Sequence, residues 1–332
     1  MTRSTSTLTA RLLTGLVLLL FATPLILSAQ WPGYKNFPLS EDNRSIKINT
    51  VFKTSKGYIY TGTTNGLYKF DGDRFTKIYF DNKDYNDTVS AIFQDNTQKI
   101  WVGFESGRIA HVLNNKLVYF NPEEGAPQKK ITNFLQDKQN NIWFATAGEG
   151  LYYIRNKKIY LLNESEGMSD LNVSAVAITN SDDVLAGTDQ GINICSIASN
   201  KKTITVIGPG QGLPDYIVTS IVPAGKDMFW IGMQDKGFCL YNHLTKEVTT
   251  TAAMKVWNHG QVNSMIVDDN TLWIATQLHG LLKYDTRKDK LTTVKETAEF
   301  LSIRNLLKDN QGNIWLTSPD RGLIRTPGET LK

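Results

Sequence analysis

One short segment recurs seven times along this 332-residue chain. It reads as an apolar pair, usually with an aromatic, then a small residue, a polar loop, and a glycine followed by an apolar run. The glycines are Gly66, Gly107, Gly150, Gly191, Gly237, Gly280 and Gly322, spaced 41, 43, 41, 46, 43 and 42 residues apart. One such unit cannot bury its own apolar faces, so the copies must stack. A period of about 40–50 residues built from short β-type runs marks a β-propeller, one blade per repeat. The sequence therefore predicts an all-β fold over residues 30–332: a single seven-bladed β-propeller of four-stranded antiparallel blades. Inner strands are expected to begin near residues 48, 88, 131, 172, 217, 262 and 302. Residues that break the repeat become the candidates for function.

The last repeat lacks a run for its fourth strand, whereas Tyr34–Leu39, ahead of the first repeat, has the pattern of an outer strand such as Phe75–Phe80. The N-terminal segment is expected to close blade seven and leave no open edge. Five of the seven tryptophans, Trp101, Trp143, Trp230, Trp273 and Trp315, fall in one slot of the second strand, filled elsewhere by Tyr60 and Leu185. Recurrence with the blade period assigns them to packing between blades. The small residue two positions on (Gly62, Gly103, Ala145, Gly187, Gly232, Ala275 or Thr317) suits a wedge that narrows toward an axis.

Residues 1–29 read as a signal peptide. Arg3 and Arg11 precede the apolar stretch Leu12–Phe21, Pro24 breaks it, and Leu27-Ser28-Ala29 ends on a small residue. An uncleaved anchor is the competing reading, since residues 12–34 carry no charge. Either way the repeats are expected outside the cytoplasm, in the periplasm. Loss of the leader removes two positive charges from the formal +4 and leaves the chain near balance. No basic tract of the kind nucleic-acid binding needs is present. The two cysteines, Cys195 and Cys239, hold offsets of equal parity in adjacent repeats and are expected as buried free thiols.

The phrases Gln136-Asp137-Lys138-Gln139-Asn140-Asn141-Ile142-Trp143 and Lys308-Asp309-Asn310-Gln311-Gly312-Asn313-Ile314-Trp315 resemble the D-x-x-G-x-I-W core of the two-component regulator propeller repeat. Tyr60 to Asp71 is similar to that family's W-x-G-T-x-x-G-L-x-x-F-D segment. Gly167–Val173 and Gly212–Val218 resemble its lead into the inner strand. The repeat around Val184-Leu185 departs most, with Leu185 for Trp and no Asp in its turn. The resemblance implies a periplasmic sensor module of bacterial hybrid histidine kinases, many of which answer to glycans. It also implies a membrane sensor kinase as partner. Those sensors continue into further domains not found after Lys332, so either a sensor fragment or a free-standing exported binding protein is expected.

No motif for catalysis or metal binding stands out, and no cofactor is expected. His111, His243, His259 and His279 form no H-E-x-x-H or similar spacing, and Asp81-Asn82-Lys83-Asp84-Tyr85 fails the calcium-loop pattern at Lys83 and Tyr85. Neither a nucleophile elbow nor a phosphate loop occurs. The usable surface of a propeller is the end where loops into the inner strands meet the turns between second and third strands. There the candidate ligand-binding residues are Trp257, His259, Gln261, Tyr216, Tyr85, His279, Arg321 and Glu149. Trp257 is the sharpest, because a large ring in that loop has no duty in the repeat. Rings, amides and carboxylates in this mixture suit an oligosaccharide or another polar small ligand. A propeller enzyme acting on polysaccharide, a lyase or hydrolase, is the alternative from another class, and a protein-interaction scaffold is the third.

Overall fold

The second strand of each blade is buried along almost its whole length because a neighbouring blade covers each of its faces. Ile59–Thr63, Ile100–Phe104, Ile142–Thr146 and Val184–Thr188 have no exposed position at all. This is why these segments read as continuous apolar and small residues rather than as an alternation. The outer strands, such as Phe75–Phe80, alternate as half-solvated strands do. The structure, a computed structural model, describes residues 34–41, 44–81, 87–120, 125–198, 201–257, 260–300 and 302–327. The leader, Trp31, Tyr85 and His259 lie outside the described residues.

Seven antiparallel blades of four strands follow one another in chain order. The inner strands are Ile48–Lys53, Val89–Gln94, Ile131–Gln136, Val173–Ile178, Val218–Gly225, Val262–Asp268 and Asn305–Lys308. In blade seven the ladder starts at Asn305, later than the 302 expected. The backbone N–H groups of Ile303 and Arg304 bond instead to the carbonyls of Thr276 in blade six and Thr317. Blades one and two are joined by a feature the repeat does not announce. Their outer strands Phe75–Phe80 and Lys116–Tyr119 pair in parallel, Tyr79 with Lys116 and Phe80 with Leu117, making one eight-stranded sheet. Phe80 stacks on Tyr119 at 4.3 Å, and Lys116 meets Asp81 at 2.6 Å beside the junction.

The ring closes as the sequence predicts. Lys35–Phe37 forms the fourth strand of blade seven, with Lys35 opposite Arg325, Asn36 opposite Ile324 and Phe37 opposite Leu323. Phe37 stacks on Trp315 of blade seven at 5.7 Å and meets Phe70 of blade one edge-on at 4.9 Å. One ring thus seals the seam between the last blade and the first.

Between blades, the small residue of the second strand has a definite reason. A Cβ on Gly62 would stand 2.5 Å from Val89 of the next inner strand, and one on Gly232 would stand 2.5 Å from Val262. The slot tryptophans are buried beside these contacts. Three of them also donate their indole N–H to the aspartate of the preceding turn: Trp101 to Asp95 at 2.9 Å, Trp143 to Asp137 and Trp315 to Asp309 at 2.8 Å. The same turns lace neighbouring blades together. Ser55 N–H donates to Gln94, Asn96 N–H to Gln136 and Asn180 N–H to Asp227, each at 2.8 Å. Cys195 lies in the layer between blades three and four, and Cys239 in the layer between blades four and five, both buried and free. Burial, with the Asp183 charge nearby, pushes the Cys195 thiol up to about 12, and burial raises that of Cys239 as well.

Candidate functional site

The end of the ring opposite those turns carries the loops into the inner strands. Its centre is built from a two-residue phrase repeated in every blade. First comes a fully buried β-branched residue: Ile48, Val89, Ile131, Val173, Val218, Val262 or Ile303, each 0 % exposed. The next residue is polar: Asn49, Ser90, Thr132, Ser174, Thr219, Asn263 or Arg304. In blades one to six the register shifts across this pair, so the polar residue is the extra one of a β-bulge. A bulged residue leaves the ladder and its side chain is free to bond elsewhere. In five of these six blades it donates to the carbonyl of the next blade's buried residue. Ser90 reaches Ile131 O at 2.6 Å, Thr132 reaches Val173 O at 2.6 Å, Thr219 reaches Val262 O at 2.5 Å, and Asn263 reaches Ile303 O at 2.8 Å. Asn49 makes the same bond to Val89 O at 3.3 Å. This axial ring of donors was missed from sequence, though the phrase "β-branched, then Asn, Ser or Thr" at the blade period would have revealed it.

Around this ring stand the turns that end in the repeated glycines. Gly237 has φ +68° and Gly280 φ +65°, and a Cβ there would lie 2.5 Å from Trp257 O or 2.4 Å from Thr297 O. The glycine recurs because the turn needs a left-handed residue just where a loop carbonyl crosses it. At Gly237 the crossing residue is Trp257, whose Cε3 would lie 3.0 Å from the added carbon. Trp257 ends the short helix Ala252–Val256, capped by Thr251, and is half-buried on the apolar layer between blades five and six.

Among the eight residues predicted from sequence, the structure brings Trp257 and His279 together, ring edge to ring face at 5.9 Å. The Gln261 carbonyl accepts from Gln277 N–H at 3.0 Å, two residues before His279, a backbone bond that Lys47, Thr88 and Lys130 also accept in their blades. Tyr216, on the loop into blade five, is 55 % exposed. Its position is fixed by Gly191 N–H donating to its carbonyl at 2.7 Å and by the Asp215 carboxylate, which also takes Asp235 N–H at 2.8 Å. Two apolar side chains not anticipated from sequence stand on the same sector, Leu278 at 66 % and Val256 at 79 % exposure.

Glu149 and Arg321 are on other sectors, each already engaged. Glu149, in blade three, accepts from Gln128 N–H at 2.9 Å and from the Tyr152 hydroxyl at 3.2 Å. Burial first, and then the Glu149 charge, raise the Tyr152 hydroxyl to about 12. Arg321, in blade seven, lies over Phe300 at 4.8 Å and pairs with Glu299 at 3.5 Å. A separate cleft of about 1100 Å³ lies at the outer rim of blades one to three, lined by Phe80, Arg108, Tyr119, Phe120, Pro127 and Ile159 among others. It borders the parallel join of the outer strands of blades one and two, which nothing in the repeat signals. Among the described residues no three His, Cys, Asp or Glu side chains are grouped to hold a metal ion. Nor is any described helix long and apolar enough to cross a membrane.

Fold and face together define a seven-bladed propeller closed by its N-terminal strand, with one polar, aromatic-bearing axial end. The family model for the two component regulator propeller matches residues 125–148, which hold most of the loop into blade three, its inner strand and the whole of its second strand. The chain thus carries the two-component regulator propeller repeat. No curated protein sequence matches it. Among solved structures it is similar to one described as the extracellular domain of a one component system, BT4673 of B. thetaiotaomicron, with 19% identity and a TM-score of 0.74. It is also similar to the corresponding domain of the hybrid two component system BT3049 of the same organism, with 19% identity and a TM-score of 0.73. The match covers 89% of this chain and 40% and 42% of those chains, so this chain spans about two fifths of their length. Virginiamycin B lyase from Staphylococcus aureus shares the fold at 11% identity and a TM-score of 0.68, over 89% of this chain and 99% of its own. At these identities the likeness is one of fold.

Proposed function

We propose that this propeller is an exported ligand-sensing module whose axial end takes a carbohydrate-like ligand and passes its occupancy to a membrane sensor kinase. The sector on blades five and six supports this reading best. It gathers an exposed Tyr216, the Trp257–His279 pair and Gln261, backed by a rigid ring rather than by long loops. Flat rings beside amide and imidazole donors suit a sugar, with its apolar ring faces and hydroxyl rim. In this reading Tyr216 and Trp257 supply ring surface, and His279, His259 and Gln261 supply hydrogen bonds. Glu149 and Arg321 border the same end on other blades. The two-component regulator repeat, and the likeness to extracellular domains of bacterial one- and two-component systems, favour sensing over catalysis.

The test is a panel of purified oligosaccharides titrated against the chain by tryptophan fluorescence and thermal shift, with each mixture then chromatographed for cleavage products. Binding without turnover, weakened by Tyr216→Ala at unchanged melting temperature, is the expected result. Cleavage of a bound saccharide would replace sensing with a lyase or hydrolase. Absence of any saccharide binding removes the carbohydrate reading.

A further inference from the structure

Six inner strands open with the same axial phrase, and blade seven does not. Where the others place Asn, Ser or Thr, blade seven has Arg304. Its ladder shows no bulge and starts two residues later than the others, at Asn305. The guanidinium is exposed and makes one hydrogen bond, from Nη1 to the Asn49 side-chain oxygen at 3.1 Å in blade one. A short amide or hydroxyl serves the blade-to-blade link in five of the other six blades, and Ser174 makes none to a described residue in the sixth, so closing the ring does not call for a cation here.

The inner-strand openings around it carry charge of one sign. Lys47, two residues ahead of Asn49, is exposed as well. Neither Lys47 nor Arg304 forms an ion pair with a described carboxylate. Across the four positions that open each inner strand (47–50 in blade one and their equivalents), no blade has an aspartate or glutamate. The third basic residue in that set, Lys130, is paired with Glu105 at 3.4 Å. Most of the five N–H donors of Arg304 therefore face solvent at the axial mouth, in the fork geometry that grips a carboxylate or sulfate.

We infer that Arg304 and Lys47 form an axial anion subsite, and that the ligand of the sensing end is an acidic saccharide bearing a carboxylate or sulfate. This rests on the carbohydrate reading above and narrows it. The neutral part of the ligand lies toward blades five and six, and its anionic group lies at the mouth between blades seven and one.

The purified chain is titrated with three probes: the unsulfated, uronate-containing disaccharide of chondroitin, its sulfated form, and neutral cellobiose. Both anionic probes, or one of them, should bind more tightly than cellobiose and lose affinity as salt rises. The comparison of the two tells whether carboxylate or sulfate is the group held. Arg304→Gln keeps an amide donor for Asn49 but no charge; it should weaken anionic binding about tenfold or more while leaving cellobiose unaffected. Should that variant fold poorly, Lys47→Gln, which disturbs no hydrogen bond of its side chain, should weaken the same binding severalfold. Unchanged affinity in the folded variants overturns the subsite. Cellobiose binding as tightly as the anionic probes also overturns it, while the carbohydrate reading stands. Failure of all three probes to bind removes the subsite and takes the carbohydrate reading with it.

Discussion

The Asp137 carboxylate and the Trp143 indole N–H, six residues apart, meet at 2.8 Å across a single hairpin turn. The other oxygen of Asp137 accepts the backbone N–H groups of Gln139 and Asn141, so one side chain shapes the turn and satisfies the buried ring. Blade six has Asp268 at the equivalent place, but the turn to Thr271 is shorter and Asp268 pairs with Lys308 of blade seven, so the indole nitrogen of Trp273 is buried with no hydrogen-bond partner. A buried donor without a partner costs about 1–3 kcal/mol.

These two blades should respond differently to the same change. Trp143→Phe removes one of the two donors to its Asp137 oxygen, the other being Asn141 Nδ2 at 2.6 Å, and should cost about 1 kcal/mol beyond its lost packing. Trp273→Phe removes a donor that already lacks a partner and should cost less. Trp143→Ala, which empties the slot, should cost about 3–5 kcal/mol. Urea unfolding of the three variants measures this. Equal losses for both Phe variants would mean that the aspartate contributes nothing.

The closing strand gives a second expectation. Deleting residues 31–40 exposes the edge Gly322–Pro327 and removes Phe37 from between Trp315 and Phe70. The shortened chain should melt well below the parent and aggregate through the bare edge. An unchanged melt and a monomeric profile on size exclusion would show that the ring does not depend on this strand.

Cys195 and Cys239 should resist a thiol reagent in the native protein, because burial raises both thiols and blade four separates them. In denaturant without reductant, intact-mass analysis should find two alkylations. A linked pair at that step contradicts their placement in different layers.

Acid should loosen the turns. Burial opposes ionisation of Asp95, but hydrogen bonds from Thr97, Trp101 and backbone N–H groups outweigh it and lower its pKa; Asp309 is lowered the same way by Asn313 and Trp315. A carboxyl lowered on folding contributes stability above its unfolded pKa, about 4, and that contribution is lost as pH falls through the folded value. Urea midpoints should hold from pH 7 to about 5 and drop below about pH 4. Asp309→Asn should lower the midpoint at pH 7 and flatten the acid drop; an acid limb as steep as the parent's assigns the loss to other groups.

Gly237→Ala tests the packing beneath Trp257. The added carbon would meet Trp257 O at 2.5 Å and its ring at 3.0 Å. The ring should move, with a shift in tryptophan emission and a loss of about 1–3 kcal/mol from strain and displaced packing. Identical emission spectra would show that Trp257 is not seated on Gly237.

What the sequence made legible follows from how locally each feature is encoded. The glycine repeat, the slot tryptophans and the hairpin turns depend on residues a few positions apart, and all are visible in one copy and reinforced by six others. The closing strand could be found because a blade was short by one run. The axial bulges and the parallel join at Phe80 and Leu117 were not legible. Their partners lie in the next blade, some 40 residues away, and their side chains are ordinary Ser, Thr, Asn and Leu. Trp257 illustrates the limit at the site. Breaking the repeat singled it out, but sequence could not show that Gly237 lies beneath it. Glu149 and Arg321 looked equally free, and only the fold shows them engaged by Tyr152 and Glu299.

The pairing of Lys35–Phe37 with Leu323–Arg325 also sets an order of events during synthesis. The strand that finishes blade seven is made before any blade exists, and its partner is made after the other six. At about 5–20 residues per second, the first strand waits on the order of tens of seconds for its place. Through that interval the growing stack is open at both ends, with Phe70 of blade one bare on the side that Phe37 later covers. The propeller is therefore most in need of protection just before Leu323–Arg325 emerges, and that one strand turns an open, adhesive stack into a closed ring.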